Sequence, residues 1–116
     1  MKQKWLHLCN RLDYKFENSD ILRQALTHKS YVPLESEDNF GHNERIEFLG
    51  DAVLDLVTSE MLMKEFPELD EGGLSKFRAS LVSESGLCKQ ARALELGDCL
   101  LLGRGEEMTG GREKNS

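Results

Sequence analysis

Apolar residues recur at helical spacing along nearly all of this 116-residue chain, polar residues suited to capping precede the runs, and no pair of alternating apolar-polar strands occurs. These features predict an all-α domain. Trp5, Leu8, Cys9 and Leu12 fall at i, i+3, i+4 and i+7 and mark a first amphipathic helix. Asp13 to Phe16 interrupts it. Asn18 or Ser19 can cap a second helix, with Asp20 in its first turn and Ile21, Leu22, Ala25 and Leu26 on one face. Thr27-His28-Lys29-Ser30 ends that helix. Positions 31 to 42 are polar, contain Pro33 and Gly41, and read as a loop.

Asn43 is placed to cap the longest helix, Glu44 to about Glu65, which Pro67 stops. Ile46, Phe48, Leu49, Ala52, Val53, Leu54, Leu56, Val57, Met61 and Leu62 cover most of its circumference, which predicts burial on several sides. Asp70 to Gly73 reads as a turn into a helix using Leu74, Phe77 and Leu81. Ser83 can cap another, using Leu87, Ala91 and Leu94, closed by Gly97-Asp98. Cys99 to Leu102 is a short apolar run, and the rest is glycine-rich and charged. No internal repeat is present.

The length suits a single domain spanning 1–116. With 39% hydrophobic and 31% charged residues, no apolar run long enough for a membrane helix and no apolar signal segment after Met1, a water-soluble, non-membrane protein is expected. Cys9, Cys88 and Cys99 are far apart and odd in number, which favours neither a zinc site nor a disulfide framework and points to the cytoplasm. The net charge of −6 excludes nucleic-acid binding by bulk positive charge. The deficit is uneven. Residues 76–116 hold seven Lys/Arg against six Asp/Glu, whereas residues 1–75 hold eight against fifteen.

Part of that acidity is ordered. At about 100° per residue, Glu47 lies about 300° and Asp51 about 700° round the helix from Glu44, so all three share a narrow face, and Asp55 continues the line. Like charges so spaced destabilise a helix and call for a compensating cation. Arg45 is turned away by about 100°. Oxygen donors without nearby Cys or paired His suit Mg²⁺, or Mn²⁺ in its place. A solvated surface face is the competing account, and the apolar flanks weigh against it. His7, His28 and His42 are scattered and suit hydrogen-bonded or surface roles. Met61 and Met63 suit packing, Lys76 and Arg78 a solvated face. Gly110-Gly111-Arg112 lacks the G-K-[ST] ending of a phosphate loop.

The segment Asn43-Glu44-Arg45-Ile46-Glu47-Phe48-Leu49-Gly50-Asp51-Ala52-Val53-Leu54 resembles the signature of the ribonuclease III family, in its bacterial form. Leu12 to Phe16 is similar to the family's L-G-Y-x-F, and Gln24 to Ser30 to its Q-A-L-T-H-x-S. Phe66-Pro67 through Gly72, Arg78 to Val82, and Leu102 to Glu106 with Gly110 to Arg112 also match in order. The resemblance implies a helical endonuclease domain that forms a homodimer and cleaves double-stranded RNA with Mg²⁺, leaving 5′-phosphates, in rRNA and mRNA precursor processing. It implies that Glu44, Glu47 and Asp51 are catalytic, with Glu47 and Asp51 as metal ligands. It makes Glu71 an auxiliary acidic residue and Phe48 a contact to the partner subunit. In the family an I-L-A-D-x-x-E-A run follows, whose Asp and Glu complete the metal site, and then a double-stranded RNA-binding domain. Neither lies within these residues, so the expectation is a fold missing its last helices and a fragment inactive by itself. A non-catalytic dimerising module that binds RNA or protein is the alternative.

Overall fold

The structure is a computed structural model and describes residues 1–31 and 41–114. It is all-α: α1 (Gln3–Leu12), α2 (Ser19–Ala25), α3 (Glu44–Glu65), α4 (Glu71–Leu81), α5 (Glu84–Ala93), α6 (Leu96–Cys99), α7 (Arg104–Met108) and a 3₁₀ turn, Gly111–Glu113. Most of the loop expected over 31–42 lies outside the described residues.

Local chemistry accounts for the boundaries. The Asn18 side chain accepts the Asp20 N–H, Asp70 accepts that of Gly73, and Ser83 accepts that of Gly86, each satisfying a donor that the first helical turn leaves open. Asp70 thereby draws Glu71-Gly72-Gly73, expected as a turn, into α4. Asp13 ends α1 in the left-handed region (φ 51°), at the position where the resembled motif has glycine. The left-handed Glu95 (φ 56°) separates α5 from α6, so α5 stops at Ala93 and not at Gly97-Asp98, which belong to α6. The charged stretch after Leu102 contains α7, whose five residues are too few to show a periodic apolar face.

One core joins sequence-distant segments. Trp5, Leu8, Leu22, Leu26, Cys99 and Leu101 are buried together, with Phe16, Tyr31 and Leu96 packed against them. The Trp5 indole N–H donates to the Cys99 carbonyl (2.9 Å). Thr27 and Leu101 form a parallel bridge, with His28 N–H donating to Leu101 O (2.9 Å) and Leu101 N–H to Leu26 O (2.8 Å). Arg11 pairs with Glu95 and donates to Leu94 O (3.2 Å). Arg112 closes the other side, donating to the carbonyls of Gly97 (3.0 Å) and Leu100 (2.7 Å) and pairing with Glu107. A Cβ at Gly97 would collide with the Arg112 carbonyl, so this closure requires glycine there.

The long helix departs from expectation. Its only buried residue is Leu62, while Phe48, Leu49, Val53, Leu56, Val57, Met61 and Met63 are exposed. Burial on several sides is therefore not met within one chain. The reason is the partner set. α3 packs against α4, through the Phe66 and Phe77 rings (centroids 5.1 Å apart) at their junction and Arg78 donating to Ser59 Oγ (2.8 Å). Among the described residues, α4 is the one helix that packs closely along it. The radius of gyration, 16.3 Å, exceeds the about 13 Å expected at this length. The accessible surface is 9017 Å², against about 6,400 Å² for a compact monomer of this mass.

Candidate functional site

Three contacts fix the start of α3. Asn43 N–H donates to Thr27 O (2.9 Å), its side-chain amide donates to Ala25 O (3.0 Å), and Gln24 reaches His42 O (3.3 Å). Asn43 makes no side-chain cap, so its position was readable in sequence but its role differs: it anchors α3 to the end of α2.

α3 is helical from Glu44 without interruption, so Glu44, Glu47 and Asp51 do share a face. Glu44 and Glu47 line a cleft of about 690 Å³, whose other wall includes His28, Lys29, Glu106 and Lys114, over a floor that includes Leu100 and Leu102. Asp51 follows one turn on, exposed, and does not line the cleft. Glu71 opens α4 beyond the far end of α3. Since Asp51 to Glu65 alone rises about 21 Å, one chain does not bring Glu71 to the Glu44 end. Phe48 is 83% exposed, beside the acidic face. Among the described residues, no three Asp, Glu, His or Cys side chains stand where they could jointly hold a metal ion.

The opposite wall was not predicted. Lys114 pairs with Glu106 (3.0 Å). That hydrogen bond and charge hold the Glu106 carboxyl below the usual range against a small opposing effect of burial, and the charges of His28 and Lys29 add to the lowering. His28 is held by the turn it belongs to. Its Nδ1 accepts the Ser30 N–H (3.1 Å) and lies 2.7 Å from Ser30 Oγ, which accepts the Gly103 N–H (2.8 Å). A Cβ at Gly103 would run into the Ser30 carbonyl. No periodicity marks these residues. The available signals were the Q-A-L-T-H-x-S match and, for Glu106, the Leu102 to Glu106 match, and neither carried a role.

Residues 18–116 match the family model described as Ribonuclease-III-like. The chain is 54% identical over 109 residues to Ribonuclease 3 of Desulforamulus reducens, covering 94% of this chain and 44% of that protein. It is 47% identical over 113 residues to Ribonuclease 3 of Geobacillus kaustophilus, covering 97% and 46%. It therefore spans less than half the length of these curated relatives. A crystal structure of the nuclease domain of ribonuclease III from Campylobacter jejuni superposes with a TM-score of 0.84 at 46% identity, covering 99% of this chain and 74% of that one. A second structure of that domain, described as structurally flexible in the region involved in dimer formation, gives 0.82 at 47% identity, covering 94% and 72%. Sequence and backbone agree across nearly all the residues considered, and the chain belongs to the bacterial ribonuclease III family, with the fold of its nuclease domain.

Proposed function

We propose that this chain is the metal-binding part of an endoribonuclease that hydrolyses double-stranded RNA with Mg²⁺ to 5′-phosphate products, in the processing of rRNA and mRNA precursors in the cytoplasm. The observation that carries the reading is the acidic face of α3, whose Glu44 and Glu47 open into one cleft with Lys29 and Lys114 across it. The donors fit Mg²⁺ in kind, being carboxylates without thiolate or imidazole. Glu47 and Asp51 would hold the ion, with Mn²⁺ as a substitute, Glu44 beside them and water completing the shell. When bound, the ion would activate a water and offset charge at the scissile phosphate. Glu71 would act from the end of α4, and so in an assembly of more than one chain.

A second copy is the proposed cover for α3. The surplus surface exceeds the about 800 Å² that each partner gives to a standard interface, and a two-fold dimer would set Phe48 against the partner subunit. No described helix is long and apolar enough to cross a membrane, and the three cysteines are free, as a reducing compartment allows.

The test is cleavage of a long RNA duplex in Mg²⁺ by this chain and by a version carrying the rest of its relatives' length. The longer protein should cut, the 116-residue chain should be essentially inactive, and Glu47→Gln in the longer protein should lower kcat about 100-fold or more with an unchanged circular dichroism spectrum. Near-normal cleavage by that variant at saturating Mg²⁺ removes the assignment. Duplex binding without cleavage by the longer wild-type protein favours the non-catalytic dimerising module.

A further inference from the structure

We propose that Asn43 is a positioning residue that sets where the Glu44 and Glu47 carboxylates stand, by giving up the cap of α3 to clamp that helix onto the end of α2. The proposal rests on the reading of those carboxylates as part of a metal site. The chain contains its own comparison, because Asn18 and Asn43 each precede a helix. Asn18 is extended (φ −114°, ψ 102°), and its side-chain oxygen accepts the Asp20 N–H (3.0 Å), as a capping residue does. Asn43 lies in the right-handed helical region (φ −89°, ψ 0°), and its side chain makes no cap hydrogen bond. It turns its amide the other way. Nδ2 donates to Ala25 O (3.0 Å), a carbonyl that the end of α2 leaves without an intrahelical partner, and the backbone N–H donates to Thr27 O (2.9 Å).

The seat of this clamp is itself held. Between those two carbonyls, Leu26 O accepts the Leu101 N–H (2.8 Å), and the next N–H, that of His28, donates to Leu101 O (2.9 Å). Thr27 is buried, and its hydroxyl donates to Arg23 O. Residues 25–27 are thus tied to the core through one carbonyl and to α3 through the other two. The second polar tie on α3 is at Ser59, where Arg78 donates. Glu47 lies about 18 Å along the helix from Ser59, so a tilt of about 3° there displaces its backbone by about 1 Å, a misplacement that can cost about 100-fold in rate. A clamp at Asn43 removes that freedom one turn before Glu47. The clamp needs a donor. Ser caps helices as well as Asn does, but its shorter side chain cannot replace the amide that reaches Ala25 O.

The experiment uses the longer protein, with Asn43→Ala and Asn43→Ser. Without metal, both should shift the NMR amide signals of Ala25, Thr27, Glu44 and Glu47. In the wild-type protein the Asn43 side-chain amide should exchange with solvent about tenfold more slowly than that of Asn18. With metal, both variants should bind Mn²⁺ about tenfold more weakly, read by electron paramagnetic resonance of the free ion. Both should also lower kcat at saturating Mg²⁺ about tenfold or more, with KM for the duplex within about twofold. Wild-type Mn²⁺ affinity and kcat in both variants, with only a lower melting temperature, overturns the proposal by making Asn43 merely structural. A wild-type Ser variant beside an impaired Ala variant also overturns it, since that is the behaviour of an ordinary cap. So does an Asn43 amide that exchanges as fast as that of Asn18. Slow Asn43 exchange and shifted Glu44 and Glu47 signals, beside normal cleavage by Glu47→Gln, support the clamp and refute the metal-site reading instead.

Discussion

Trp5 and Phe48 are both aromatic residues on amphipathic helices, yet Trp5 is 5% exposed and Phe48 83%. Trp5 belongs to a core that closes by long-range pairing, α1 and α2 against α6 and the 99–102 segment. Phe48 belongs to a helix held at its first turn and along one flank by α4. The difference separates two jobs. The closed region makes a rigid seat. The open helix carries the carboxylates that the proposed chemistry uses and an apolar surface that the other described residues do not cover. A helix apolar on most sides is thus not, by that pattern alone, one that its own chain's described residues cover.

The largest expected effect breaks the closed region. Trp5→Ala removes a buried ring and leaves the Cys99 carbonyl without its donor, and should cost about 3–5 kcal/mol in urea unfolding. A loss under about 1 kcal/mol would show that this core does not hold the chain together. Phe48→Ala sharpens the contrast. It should change the stability of the monomeric chain by no more than about 0.5 kcal/mol. It should weaken the proposed self-association by up to about 3–5 kcal/mol, read by sedimentation over a concentration series. A strict monomer, or a dimer indifferent to the substitution, would contradict the role given to α3.

Two smaller effects test the closed region alone. Burial pushes the Cys99 thiol above its usual range, with the Arg11 charge opposing. A raised folded value means the stabilisation is complete below the ordinary thiol pKa of about 8.5 and is lost as pH rises through the folded value. Melting temperature should therefore fall at alkaline pH, and Cys99→Ala should flatten that fall. The smallest effect is at Asp13, whose left-handed backbone suits glycine. Asp13→Gly should stabilise by no more than about 1 kcal/mol, and a loss of stability would show that the Asp13 side chain offsets its backbone strain.

Much of this was legible in the residues. Periodicity and caps placed α1, α2, α4 and α5 because those helices bury apolar residues or begin at a side chain that accepts a backbone N–H, and α3 was legible from its long uninterrupted apolar pattern. The acidic line Glu44, Glu47 and Asp51 followed from helical geometry alone, and the resemblance added the roles. What stayed hidden depends on contacts between distant segments. Lys114 reaches Glu106, and the charge of Lys29 comes to act on it, only after residues 27 and 101 have paired. Arg112 looked like part of a glycine-rich tail and instead clamps α6. Glu71 matched a motif in one dimension, while three dimensions place it at the far end of α3.

The most direct test of the account is where a divalent ion sits. Mn²⁺ titrated into the isotopically labelled chain should broaden the amide signals of Glu44, Glu47 and Asp51 first, those of Lys29 and Leu102 across the cleft next, and leave Trp5 and Cys99 sharp. Glu47→Gln should abolish the pattern. Broadening centred elsewhere, or the same pattern persisting in that variant, would contradict the assignment of the metal to α3.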